Sequence, residues 1–135
     1  MTDTKSKADE RWYAARLGTT RTPLSGGNSR HTRSDTLDPD IYLEVKTGKS
    51  FPVSWEGWGI LFGQVSERAH AERKVPVLVL HPNRQPREDA FTFIDLGDVG
   101  IMEVIHLVQV PWSSFEAFCL PVLRGLRRER PTGEG

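Results

Sequence analysis

The sequence predicts a single α/β domain with a mixed β-sheet between helices, and three observations lead to this fold class. Residues 41–46 alternate apolar and polar side chains, as a strand with one buried face does. Residues 55–73 carry large apolar side chains at helical spacing. Residues 75–80 form a continuous apolar run, which is typical of a strand buried on both faces. Strands and helices in this order indicate a central sheet covered by helices.

The first predicted element is a short helix over residues 8–17. Acidic residues in its first turn would favour the positive end of the helix dipole. Glu10 shares a stripe with Ala14 and Leu17, so it points toward the apolar side of the helix. A carboxylate facing inward needs a partner. Glu10 is therefore interpreted either as part of a functional site or as an ordinary helix-start residue that is solvated or ion-paired.

A polar and basic run follows this helix. Residues 21–33 contain hydroxyls, amides, glycines and guanidinium groups but almost no apolar side chain, which predicts an exposed loop. Its Ser25-Gly26-Gly27 stretch offers free backbone amides but lacks the Gly-Lys-Ser/Thr ending of a nucleotide-binding P-loop. The loop is interpreted as a DNA-backbone-binding segment or a hinge, with an inert surface loop as the alternative.

The strand over residues 41–46 carries the most suggestive chemistry. Its odd-numbered side chains would face the core, which leaves Glu44 and Lys46 on the opposite face, roughly 6 to 7 Å apart along the strand. Three aspartates precede them, Asp35, Asp38 and Asp40. Carboxylates beside a lysine suit a metal-dependent phosphodiesterase, in which the carboxylates hold Mg²⁺ and the ammonium lies next to the attacking water. A solvated Glu–Lys pair on a sheet surface is the simpler alternative.

The long central helix has a predicted start and an unusual composition. Ser54 can cap its first turn, and the helical pattern runs to about Arg73. Three glycines inside the pattern weaken helix propensity. They indicate a close approach by either the sheet or a second subunit.

The C-terminal half predicts one more strand and a final helix. An exposed loop over residues 81–87 leads to a strand over residues 90–96. Residues 97–110 fit a helix and a strand equally well. Residues 112–126 predict a helix that is broken or kinked by Pro121.

Composition excludes several classes of protein. The single cysteine rules out an internal disulfide and a cysteine-rich zinc site, which favours the cytoplasm, or the host cytoplasm for a phage-encoded protein. The four histidines are not spaced as a metal cluster, and no apolar run approaches the ~20 residues that cross a bilayer. We expect a disordered N-terminus over residues 1–7, one domain over residues 8–126 and a flexible tail over residues 127–135.

Charge distribution favours a nucleic-acid partner although the net charge is zero. Residues 1–34 contain seven basic and three acidic side chains, a local charge of +4. The chain has 13 arginines against 5 lysines, and a guanidinium group binds phosphate through two hydrogen bonds at once.

Five short motifs carry a family resemblance. They are Glu10-Arg11, the hexapeptide of residues 21–26, Ser34-Asp35, Glu44-Val45-Lys46 and the strand of residues 75–80. In this order the motifs resemble the PD-(D/E)xK nuclease superfamily, most closely the small archaeal and phage Holliday junction resolvases. The resemblance implies a restriction-endonuclease-like fold, a central mixed sheet flanked by helices. It also implies a homodimeric, Mg²⁺-dependent endonuclease, with Mn²⁺ as a substitute, that makes paired nicks in four-way DNA junctions.

The resemblance further implies roles for individual residues. Asp35 and Glu44 would bind the metal, with the Val45 carbonyl as a further ligand. Lys46 would orient or deprotonate the attacking water and neutralise charge on the phosphate, and Glu10 would complete the metal site from the helix. The residues expected to contact DNA are Arg11, Arg21, Ser25, Arg30 and Arg33.

Two questions stay open at this level. The gap from Asp35 to Glu44 is shorter than in many archaeal resolvases, so Asp38 or Asp40 is an alternative ligand, and Asp40 shares the strand face of Glu44 by parity. The function also has alternatives on the same fold. One is a flap, single-strand or restriction-like endonuclease, and the other is a non-catalytic DNA-binding protein, against which clustered carboxylates argue because they repel phosphate.

Overall fold

The computed structural model describes residues 4–22, 34–48, 51–52, 54–98 and 107–129. Its helices and strands begin with α1 (Thr4–Leu17), β1 (Ile41–Gly48), α2 (Trp55–Ala71) and β2 (Val75–Pro82). A 3₁₀ turn (Arg87–Asp89), β3 (Phe91–Asp95) and β4 (Leu107–Pro111) come next. The chain continues through α3 (Trp112–Ser114), a π-helical turn (Phe115–Cys119) and α4 (Leu120–Glu129). None of the helices in these ranges combines the length and apolarity needed to span a membrane.

The four strands form one mixed sheet in the order β1-β2-β3-β4. β1 and β2 are parallel, and the other neighbouring pairs are antiparallel. Parallel strands need a long crossover, and α2 supplies it. The predicted α/β class with a mixed central sheet is therefore confirmed. Within residues 97–110, which fit a helix and a strand equally well by sequence, a strand begins at Leu107. Residues 99–106 lie outside the described part.

The sheet separates two layers of core packing. On one face Ile41, Leu43 and Val45 pack with α1 and with the buried Trp112. On the other face Tyr42 packs with α2 and with side chains of β2 and β3. The alternation predicted for β1 is confirmed. The expectation of a single buried face is wrong at Tyr42, which is fully buried against α2 on the opposite face.

The first helix differs from its prediction at the N-terminal end. It begins at Thr4 rather than at residue 8, so residues 4–7, which we expected to be disordered, are helical. The acidic pair at residues 9 and 10 consequently lies in the second turn, and the first turn has no acidic residue. The helix ends at Leu17, and Gly18 follows with a φ of 81°, a left-handed conformation that glycine adopts readily.

The start of α2 is fixed by a cap and by a close contact. The Ser54 hydroxyl oxygen accepts a hydrogen bond from the Gly57 N–H at 3.2 Å, as predicted. A Cβ at Gly57 would lie 2.6 Å from the Cβ of Pro52, so only glycine fits. At Gly59 and Gly63, no atom of the described residues lies within 4 Å of such a Cβ. Packing among the described residues therefore accounts for the first of the three glycines.

The C-terminal segment is helical from Trp112 to Glu129, with a π-helical turn just before Pro121. Proline cannot donate a backbone hydrogen bond inside a helix, and a π-helical turn accommodates such a local mismatch without ending the helix. Of the predicted break or kink, the break is wrong, because the helix continues through Pro121 after a local widening. The helix also extends three residues into the expected tail, and residues 130–135 lie outside the described part.

Candidate active site

A short antiparallel pairing lies along the outer edge of β1. Arg21 and Thr36 form an isolated β-bridge. The Asp35 N–H donates to the Leu43 carbonyl at 2.8 Å, and the Leu43 N–H donates to the Ser34 hydroxyl at 2.8 Å. These bonds hold Asp35 against the middle of β1.

The Asp35 side chain also binds β1 directly. The Val45 N–H donates to Asp35 Oδ2 at 2.8 Å. The N–H and C=O of one strand residue point to the same side of the strand, so the Val45 carbonyl faces the same edge. A carboxylate and a main-chain carbonyl, both hard oxygen donors, are therefore neighbours.

Glu44 and Lys46 follow Tyr42 on one face of β1. Tyr42 is buried beneath α2, whereas the side chains of Glu44 and Lys46 are 18% and 42% exposed. Lys46 Nζ lies 3.3 Å from Glu44 Oε2. An ordinary sheet surface can carry the same kind of ion pair. The nearby carboxylates distinguish the site from such a surface.

Glu10 reaches the same region from α1. Arg21 Nε donates to Glu10 Oε1 at 2.7 Å, and both side chains are largely buried. The guanidinium group that we expected to bind DNA phosphate is thus paired within the protein, and it links α1 to the segment beside β1. Arg11 is exposed on α1. Three further residues expected to contact DNA, Ser25, Arg30 and Arg33, lie outside the described residues.

The electrostatics of Asp35 show that the acidic groups act on one another. Burial and the neighbouring Glu44 charge raise the pKa of Asp35 from 3.8 to about 8. The hydrogen bond from the Val45 N–H lowers the pKa, the Glu10 charge raises it, and the Lys46 charge lowers it. All four predicted site residues, Glu10, Asp35, Glu44 and Lys46, are therefore close enough to interact although they come from three segments.

Asp38 and Asp40, the alternative metal ligands, contact a different group. Arg124 Nη1 donates to Asp38 Oδ1 at 2.9 Å and to Asp40 Oδ2 at 2.8 Å. Asp38 Oδ1 also accepts the backbone N–H groups of Asp40 and Ile41. Both carboxylates join α4 to the start of β1, and Asp35 is the aspartate that lies beside Glu44.

The donor atoms at this edge suit a hard cation only in part. No group of three or more His, Cys, Asp or Glu side chains within the described ranges is arranged to hold a metal ion, and Glu10 is engaged by Arg21. Mg²⁺, however, usually takes one or two protein carboxylates and retains several waters. A buried carboxylate beside a second one is a charge arrangement that a cation relieves. Asp35, Glu44 and the Val45 carbonyl therefore fit Mg²⁺ as a two-carboxylate site.

A buried polar cluster next to this site was missed from the sequence. Asp9, which is 1% exposed, accepts hydrogen bonds from Thr47 at 2.6 Å, His81 at 2.6 Å and Arg87 at 2.8 Å. His81 was predicted to lie in an exposed loop, but it is a buried residue of β2. The only hint in the sequence is that Asp9 and Thr47 each adjoin a predicted site residue. Their partners are too distant in the chain for a local pattern to reveal them.

Comparison of the chain with protein family models, with curated proteins and with solved structures gives no match. The resemblance to the nuclease superfamily therefore stays a prediction that depends on the motifs themselves.

Proposed function

We propose that this protein is a Mg²⁺-dependent endodeoxyribonuclease with a restriction-endonuclease-like fold, and that it nicks branched DNA. The observation that carries the proposal is the position of Asp35 beside Glu44 at the edge of β1, with Lys46 on the same strand. These are the residues that the family motifs assign to metal binding and catalysis.

The chemistry of phosphodiester cleavage explains why such a group is needed. Anionic phosphates repel anionic nucleophiles, and a bound Mg²⁺ would lower the pKa of water and stabilise charge on the phosphate. Asp35, Glu44 and the Val45 carbonyl would hold the ion. Lys46, the more exposed partner of its ion pair, would donate a hydrogen bond to the water or to a phosphate oxygen. The Glu10–Arg21 pair would fix α1 against this edge.

Branched DNA is the substrate that the motifs favour. Paired nicks across a four-way junction require two active sites related by a twofold axis, so we propose a homodimer. Sedimentation with and without junction DNA tests this part. A strict monomer in both conditions would contradict the four-way junction and would favour a flap or single-stranded substrate.

The decisive experiment is a cleavage assay on four-way, flap, linear duplex and single-stranded DNA with Mg²⁺, Mn²⁺ or EDTA. We expect Glu44→Ala and Lys46→Ala to reduce junction cleavage by at least about 10²-fold to 10³-fold and to leave junction binding largely intact. The matched controls are Glu72→Ala and Lys74→Ala, because these residues form a Glu-x-Lys ion pair of similar length, 3.4 Å, before β2.

Each outcome of this assay separates the alternatives. Full activity of either site variant would overturn the assignment. Preferential cleavage of another DNA structure would identify a different nuclease with the same active site. Tight metal-independent binding without cleavage of any substrate would identify a non-catalytic DNA-binding protein.

A further inference from the structure

A second potential binding site lies beyond the carboxyl ends of the parallel strands β1 and β2. A cavity of about 620 Å³ opens there, and the described residues that line it are Lys5, Gly48, Phe51, Pro82, Asn83 and Arg84. Ligands of open α/β sheets commonly bind outside the carboxyl ends of strands, and this volume is typical of small-molecule sites. Gly48 follows Lys46 by two residues, roughly 7 Å along the strand. The cavity is therefore separate from the proposed active site but adjacent to it.

The charge of the lining favours an anion. Lys5 and Arg84 contribute positive charge, and no acidic side chain is among the described residues of the lining. Lys5 Nζ donates to Asn83 Oδ1 at 3.4 Å, which uses one of three ammonium protons. Arg84 forms no ion pair or hydrogen bond with the described part of the chain. Its φ of 67° is a left-handed conformation that a non-glycine residue adopts only rarely.

The remaining lining favours a flat apolar group attached to that anion. Phe51 is only partly buried where it packs against the α2 side of the core, and Pro82 adds a second apolar surface. Gly48 has a φ of 122°, so this position strongly favours glycine and leaves the end of β1 without a side chain. Aromatic side chains stack on nucleobases with little regard to sequence. Lysine and arginine beside an aromatic ring are therefore complementary to a phosphate joined to a base.

We propose that this cavity binds one nucleoside phosphate, with the phosphate between Lys5 and Arg84 and the base against Phe51. The binding chemistry stands without the active site. The role we assign, holding an unpaired nucleotide of the DNA strand beside the scissile bond, rests on the proposed function. A free nucleotide would make the same contacts. The experiment must therefore distinguish a free nucleotide from a nucleotide within a DNA strand.

Binding is measured by calorimetry on the full chain in EDTA, so that cleavage plays no part. The probes are thymidine 5′-monophosphate, a thymidylate hexanucleotide, thymidine and inorganic phosphate. We expect Lys5→Ala combined with Arg84→Gly to weaken hexanucleotide binding at least tenfold. The salt dependence of binding should fall by about 0.7, for the loss of contact with one phosphate of a single strand.

The aromatic contact is tested separately. Phe51→Leu keeps an apolar side chain in the core contact and removes the ring. We expect it to weaken binding at least about fivefold, the lower end for a lost stacking contact, with an unchanged salt slope. Arg73→Gly is the matched control, because Arg73 also has a left-handed backbone, with a φ of 61°, but precedes β2 at the opposite end of the strand. We expect it to bind normally.

The probes decide between sources and can overturn the proposal. Tighter binding of the hexanucleotide than of the monophosphate supports a DNA strand, and equal binding supports a free nucleotide. Inorganic phosphate binding as tightly as the monophosphate, or thymidine binding as tightly, would overturn the site. Unchanged affinity in the double variant would overturn it as well. Nucleotide binding by a protein that cleaves no DNA would contradict the proposed function alone.

Discussion

Asp9 and Asp35 lie close to the same strand, β1, but in opposite electrostatic environments. Burial alone would raise the pKa of Asp9, but hydrogen bonds from Thr47, Arg87 and His81 outweigh it and hold the pKa below its ordinary value. The Asp35 carboxylate accepts one described hydrogen bond, from the Val45 N–H, and its pKa rises to about 8. The same residue type is therefore stabilised as a carboxylate in one place, whereas in the other its burial beside Glu44 disfavours ionisation.

The contrast explains how the proposed active site is held. Asp9 connects α1 to β1 through Thr47 and to β2 through His81. Its neighbour in the sequence, Glu10, is thereby kept beside Asp35. The hydrogen-bonded Asp9 carboxylate fixes the geometry, and in our proposal the Asp35 carboxylate binds the cation.

The largest effect on stability is expected from Asp9→Asn. The substitution keeps the shape but leaves donors of Arg87 and His81 facing an amide, so we expect a loss of about 3 kcal/mol at pH 7. Because the folded-state pKa is depressed, the carboxylate contributes stability above the unfolded value of 3.8, and this is lost as pH falls through the folded value. In urea unfolding, the difference in the free energy of unfolding between wild type and Asp9→Asn should shrink below pH 4. A deficit that does not change with pH would contradict the ion-pair explanation.

The same substitution at Asp35 should have the opposite sign. Asp35→Asn retains an acceptor for the Val45 N–H and removes a buried charge beside Glu44, so we expect a gain of about 1 to 2 kcal/mol at pH 8.5. The folded-state pKa is raised, so the wild-type protein loses stability as pH rises from 3.8 to about 8. The stability gain of Asp35→Asn over wild type should therefore grow between pH 3.8 and about pH 8 and then level off.

Metal titration sharpens this second result. We expect Mg²⁺ to stabilise the wild-type protein against unfolding and to have no effect on Asp35→Asn. A variant that is less stable than wild type at pH 8.5 would show that Asp35 has a structural role like that of Asp9. A variant that Mg²⁺ still stabilises would show that the ion binds without Asp35.

The smallest effect is expected from Arg21→Ala. Loss of one phosphate contact should weaken duplex DNA binding a few-fold and lower the salt slope by about 0.9. Arg16→Ala is the matched control. Arg16 also forms an ion pair with a glutamate, but this partner, Glu116, lies in the π-helical turn. An unchanged salt slope would assign Arg21 only to the internal pair with Glu10.

The sequence predicted the elements whose evidence is local. The alternation in β1, the apolar run of β2 and the Ser54 cap each depend on residues a few positions apart, and each is confirmed. Pro121 marked an irregularity but not its kind. Either a π-helical turn or a break accommodates the backbone N–H that proline lacks. The packing of Phe115 and Cys119 in the core decides between the two.

The sequence by itself determined the alternation of side chains along β1 and the burial of β2, because side-chain periodicity is a property of neighbouring residues. Only the tertiary structure decided which charges meet. Arg124, 86 residues after Asp38, binds Asp38 and Asp40 and leaves Asp35 to Glu44. Asp9 accepts a hydrogen bond from Arg87, which lies 78 residues later in the chain. Charges interact across space, and the packing of distant elements sets those distances.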